Sequence, residues 1–154
     1  MNAVLAGAWS ELYDTYLELT ALVEQIDEEA ANWRPPAPGT NSIAVLVRHA
    51  VGSNGMWLSV ALDEPFERDR EAEFRVHESP DTLVRGLNDS RRALQGRFER
   101  LDAVDPSVER HVQRPIDGEE IARTAGWCVS HVLSHTAEHW GQIQLTRDLY
   151  RAQA

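Results

Sequence analysis

The stretch Ser130 to Leu145, SHVLSHTAEHWGQIQL, places histidine at 131, 135 and 139, each four residues from the next. In an α-helix of about 3.6 residues per turn, a step of four advances a side chain by roughly 40°. The three imidazoles then form one slowly winding row, with neighbours close enough to share an ion. The row extends through Cys128 at one end and Gln142 and Leu145 at the other, at the three- and four-residue spacing of a core-facing stripe. Histidine thus stands where leucine is expected. Burying several imidazoles is costly unless each has a partner, and a metal ion supplies one, with nitrogen ligands at about 2.0–2.1 Å for zinc. Any one of these histidines alone reads as a hydrogen-bonded core residue; the repetition argues for metal.

A second histidine position supports this. Asn41 or Ser42 is the expected cap of a helix running to about Leu62, and Ile43, Val45, Leu46, Val47, Ala50, Val51, Met56, Trp57, Leu58 and Val60 make it apolar nearly all round. Such a helix is buried on more than one side, against its own chain or a second subunit. His49 lies in its first half, on one face with Leu46 and Ser53.

Two further helices complete an all-α expectation. Leu5, Ala8, Leu12, Leu19, Leu22 and Ile26 recur at helical spacing and predict a first helix over about residues 3 to 30, ending before Arg34-Pro35-Pro36. Trp33 is expected to pack the following stiff loop onto the bundle. Ser79-Pro80-Asp81 is a helix start, and the third helix continues to about Leu101 on Leu83, Leu87, Leu94 and Phe98. Arg91, Arg92, Arg97 and Arg100 give it a basic outer face. Between the second and third helices, Asp63 to Ser79 dissolves into charge and predicts a long crossover lying on the surface, with His77 solvated. Val108 to Val112 and Asp117-Gly118 predict a small hairpin or loop, with His111 facing solvent. The histidine row belongs to a fourth helix, from about Thr124 to Ala152.

At 154 residues the chain is expected to be one domain, and its 42% hydrophobic content is enough for a core. Asp and Glu (25) outnumber Lys and Arg (15), for a net charge of −10. Without a basic cluster, that argues against nucleic acid and anionic membranes as partners. The single cysteine forms no internal disulfide, which fits a reducing cytoplasm. The N-terminus does not read as a signal peptide, and no stretch approaches the ~20 apolar residues of a membrane span.

Four long helices, a histidine early in the second and a histidine pair on the fourth resemble the DinB-like superfamily of metal-binding four-helix bundles. The marks are WRPPAPGTNSIAVLVRHAVGSNGMW, Trp33 to Trp57, and HVLSHTAEHWGQI, His131 to Ile143, with its H-x-x-x-H-x-G-Q pattern. FERDREAEF, Phe66 to Phe74, also looks like the crossover of the mycothiol-dependent branch. The resemblance implies an up-down-down-up bundle, frequent homodimers, and a divalent metal held by His49, His135 and His139. His131 matches a family histidine one turn before the ligands that is not usually one of them. Where the mycothiol branch often has glutamate, this chain has His135, which is more similar to bacillithiol-type or general members. Trp140 stands where arginine often precedes Gly-Gln.

Members of known activity are transferases or isomerases that bring a low-molecular-weight thiol, mycothiol or bacillithiol, to an electrophile at the metal. Three neutral nitrogens leave coordination positions open, as a catalytic site requires. The leading expectation is a metal-dependent thiol S-transferase acting on a small electrophile. Glu138 is its candidate proton acceptor and Gln142 a supporting polar group, with Ser134 and Asn54 nearby in register. Asn54, Trp57 and Trp140 are candidates to line the pocket. Metal-activated hydrolysis and a non-catalytic, dimeric metal-binding stress protein remain alternatives. Zinc, nickel, iron and manganese all suit such ligands.

Overall fold

The computed structural model describes residues 1–114 and 116–153. Among them are six helices and one small sheet: α1 (Ala3–Val23), α2 (Glu28–Asn32), α3 (Ile43–Leu62), α4 (Arg70–Glu73), α5 (Pro80–Leu101), β1 (Glu109–Gln113), β2 (Glu120–Thr124) and α6 (Ala125–Arg151). The four long helices close a ring, α1 touching α5 and α6 while α3 touches the same two from the other side. Mostly helical architecture is therefore as expected, and the hairpin is its one departure from all-α.

Each long helix begins at a residue whose side chain satisfies an otherwise orphaned backbone N–H. Asn2 accepts from Val4 and Leu5, Ser42 from Val45, Ser79 from Thr82 and Thr124 from Trp127. The first helix is shorter than its apolar spacing predicts. Asp27 caps a new short helix by accepting from the Ala30 N–H at 2.8 Å, so the expected single helix becomes α1 and α2. Aspartate bonds nearby backbone more readily than it continues a helix interior, and the break lets Ala30 and Ala31 enter the core. Trp33 then meets Tyr150 near the end of α6, ring centroids 5.7 Å apart, as the loop's composition predicts.

The helix α3 is the centre of the molecule. It packs against α6, α5, α2, α4 and β1, so its all-round apolarity is covered within one chain. Ile43, Ala44, Val45, Val47, Leu58 and Ala61 are essentially inaccessible, and each large apolar side chain so buried contributes about 1.5–3 kcal/mol. A buried polar ladder crosses the ring at its middle. The Asn54 amide donates to Tyr16 Oη at 3.1 Å and to Thr136 Oγ1 at 2.9 Å. Tyr16 Oη meets Ser90 Oγ at 3.1 Å, and Thr136 donates to the Val132 carbonyl at 2.7 Å.

The strands β1 and β2 pair antiparallel, with Arg110 opposite Arg123 and Val112 opposite Ile121. No spacer separates the sheet from the last helix. β2 ends at Thr124, α6 starts at Ala125, and the N–H groups of Ala125 and Gly126 donate to the Val108 and Pro106 carbonyls at 2.9 and 2.8 Å. No described helix is long and apolar enough to cross a membrane.

Candidate metal centre

The core stripe of α6 is Ala125, Cys128, Val132, Thr136, Ile143 and Thr146. The histidine row runs along its flank, which corrects the expectation that the row is the stripe itself. His131 precedes Val132 and His135 precedes Thr136, so each is turned about 100° from a core neighbour and is half-buried. Further on, Gln142 is exposed and Leu145 is 60% accessible, because the row does not keep pace with the core.

Along that flank His135 and His139 face His49 on α3. The rings of His135 and His139 are 4.3 Å apart, and each is 5.1 Å from that of His49. One nitrogen from each of the three lies within 4.8 Å of the others, a grouping that can hold a metal ion. His131 is outside it: its ring is 5.2 Å from His135, stacked on Trp127 at 4.7 Å and set edge-on to Trp57 at 5.1 Å.

The hydrogen bonds say which nitrogens are free. His139 Nδ1 lies 2.8 Å from Gln142 Oε1, an atom that only accepts, so Nδ1 carries the proton and Nε2 keeps its lone pair. The Gln142 amide is oriented in turn by donating to Glu138 Oε1 at 3.3 Å. His135 Nε2 stands at hydrogen-bond distance, 3.1 Å, from His139 Nε2, while its buried Nδ1 has no partner among the described residues. Two nitrogens on one zinc ion at tetrahedral angles are about 3.3 Å apart, so the pair is already near a chelating separation. The donor set therefore fits a divalent ion.

The electrostatics agree. Burial, with the charges of His139, His49, His131 and Arg68, pushes His135 down to about 3. Burial also lowers His139, against the opposing bond to Gln142, and lowers His131 together with the charge of Arg123. These imidazoles are neutral at pH 7, the form that binds metal.

The crossover supplies what the sequence reading missed. Asp63 to Ser79 is not merely a solvated surface: Arg68 and Glu73 turn inward and are only 8% and 11% accessible. Glu73 Oε2 lies 3.0 Å from His49 Nδ1, and Arg68 grips both oxygens of Glu73 at 2.6 and 2.7 Å. Phe74 packs on the His49 ring at 4.9 Å. Burial alone would raise Glu73, but bonds from Arg68 and His49 outweigh it and hold the carboxyl below its usual range. Two glycines admit the crossover: a Cβ on Gly52 would stand 2.1 Å from Glu73 Oε1, and one on Gly55 would stand 2.8 Å from the Phe66 ring. Each glycine inside a helix costs about 1 kcal/mol relative to alanine, so this pair, three residues apart, was the available signal.

The remaining expected residues are placed as follows. Gln142 and Glu138 reach the group only through His139. The exposed Ser134 donates to the His131 carbonyl at 3.2 Å. Asn54 is fully buried, with its amide committed to the polar ladder. Trp57 touches His131 and Trp127, and Trp140 packs against the core. A cleft of about 720 Å³ opens between crossover and hairpin, lined by Met56, Phe66, Arg68, Arg70 and Arg110 among others. None of the three histidines lines it; Arg68 lines it and also reaches His49 Nδ1 at 3.2 Å.

No curated protein matches the chain. Residues 11–143 match the DinB superfamily, a span that takes in α3 with His49, the crossover, and the paired histidines of α6, and the chain belongs to that superfamily.

Proposed function

We propose that the protein is a metal-dependent enzyme that joins a low-molecular-weight thiol to a small electrophile at the His49–His135–His139 group. The observation that carries the proposal is the pair of Nε2 atoms 3.1 Å apart, on imidazoles with depressed pKa values, with His49 inside the same 4.8 Å group. A divalent ion, when bound, supplies a Lewis acid that lowers the pKa of a thiol or water beside it. Three protein ligands would leave it room for a substrate. The thiol as the nucleophile's class rests on the resemblance of Trp33 to Trp57, Phe66 to Phe74 and His131 to Ile143 to thiol-using members.

The chain's own residues have separate tasks in this reading. Gln142 accepts from His139 Nδ1 and so presents Nε2, and Glu138 orients Gln142; both are positioning residues in this arrangement. Trp57 and Trp127 hold His131 beside His135, bounding the site on the hairpin side with rings rather than water.

The test is elemental analysis of the purified protein followed by thiol-consumption assays with mycothiol or bacillithiol and a small electrophile. One divalent ion per chain and disappearance of thiol with the electrophile support transfer. Release of free thiol from a conjugate favours hydrolysis instead. Bound metal without turnover of either kind returns the protein to a binding role.

A further inference from the structure

We propose that Glu73 and Arg68 are positioning residues of the metal centre, fixing His49 as the Nδ1–H tautomer so that its Nε2 lone pair is free for the ion. The effect on metal rests on the three histidines being ligands; the tautomer is a property of the metal-free chain.

Two groups face His49 Nδ1 and they make opposite demands. Glu73 Oε2, at 3.0 Å, can only accept; Arg68 Nη2, at 3.2 Å, can only donate. With the proton on Nδ1, the ring donates to Glu73. The Arg68 Nη2 protons then have Glu73 Oε2 at 2.7 Å and the His49 carbonyl at 3.5 Å. With the proton on Nε2, a bare ring nitrogen would lie against a carboxylate oxygen in a site only 11–12% accessible. The first arrangement leaves every proton with an acceptor; the second sets lone pair against lone pair where little water can intervene.

Arg68 makes the carboxylate's position unambiguous. Its two parallel bonds to Glu73 form the planar fork that a guanidinium makes best. The third nitrogen, Nη1, meets Met56 Sδ at 3.6 Å, seating the guanidinium against α3. Gly52 provides the space, since any Cβ there would collide with Glu73. A carboxylate bonded to the outer nitrogen of a ligating histidine changes metal affinity by about 10–100-fold.

The experiment is imidazole ¹⁵N NMR on metal-free protein, with cobalt(II) titration followed by its visible spectrum. His49 is expected with Nδ1 protonated. Glu73→Ala should move the proton towards Nε2 and weaken cobalt binding about 10–100-fold. Glu71→Ala, an exposed neighbour paired with Arg75, should leave both within about twofold. A wild-type His49 protonated on Nε2 overturns the proposal, and that measurement decides even if the Glu73 variant does not fold. An unchanged tautomer and affinity in Glu73→Ala overturns it equally. His49 in the Nδ1–H form in a protein that binds no cobalt instead defeats the reading of the histidines as ligands and leaves the tautomer assignment standing.

Discussion

Asn54 and His49 share α3, and Thr136 and His135 are neighbours on α6, yet the two polar clusters they build differ in what they leave over. In the ladder, Asn54 donates to Tyr16 and Thr136, Tyr16 meets Ser90, and Thr136 donates to a carbonyl. Donors and acceptors match, with Asn54, Tyr16 and Thr136 essentially inaccessible. In the histidine group, Gln142 and Glu73 bond the outer nitrogens of His139 and His49, the outer nitrogen of His135 has no partner among the described residues, and the Nε2 atoms of His135 and His139 face each other at 3.1 Å. A closed network fixes helices against one another. An unclosed one, with a buried ring nitrogen left without a partner among the described residues and imidazoles grouped at the edge of the core, has the character of a ligand site.

Exchanging the roles of the two clusters should fail in opposite ways. His139→Leu should reduce bound metal to background in elemental analysis, a loss of at least about 100-fold in affinity, since it removes a ligand outright. With chelator present, the same variant should be as stable to urea as the wild type or more so, because it removes an imidazole that burial disfavours. Asn54→Leu should do the reverse. It takes one hydrogen-bond partner each from Thr136 and Tyr16 in the core, costing about 1–3 kcal/mol in urea denaturation, with metal content unchanged.

Acid should separate the clusters further. His135 is held near 3 in the folded metal-free chain, against about 6.5 when unfolded. Between those values the unfolded chain binds the extra proton, so stability is full above about 6.5 and falls as the pH drops towards about 3. The slope is at most about 1.4 kcal/mol per pH unit for one proton, reduced by solvent screening. The urea midpoint of chelated wild type should therefore fall relative to that of His135→Gln as the pH is lowered, and parallel curves would show that His135 is not held neutral. The smallest effect belongs to the outermost residues. Gln142→Ala should weaken cobalt binding about tenfold, and Glu138→Ala by less than about twofold.

How much of this the sequence revealed depends on the distance over which each feature is encoded. Ser42, Ser79 and Thr124 each bond an N–H three residues on, so the starts of α3, α5 and α6 could be read directly. Asp27 does the same for α2, but the apolar spacing through Ile26 masked the break. The four-residue repeat of His131, His135 and His139 announced the site, though not the flank it occupies. That flank is set by which side of α6 meets α3. Arg68 and Glu73 escaped notice because an alternating charged run looks solvated until the surface it lies on is known. Asn54 read as a pocket residue for the converse reason: its partners Tyr16 and Thr136 are 38 and 82 residues away.

The direct junction between β2 and α6 gives the hairpin a task beyond covering the ring. Because Ala125 and Gly126 are tied to Val108 and Pro106, the hairpin sets the angular phase at which α6 begins. One residue inserted at that junction would rotate every downstream side chain by about 100°, carrying the imidazoles away from α3 while leaving each of them, and the helix, intact.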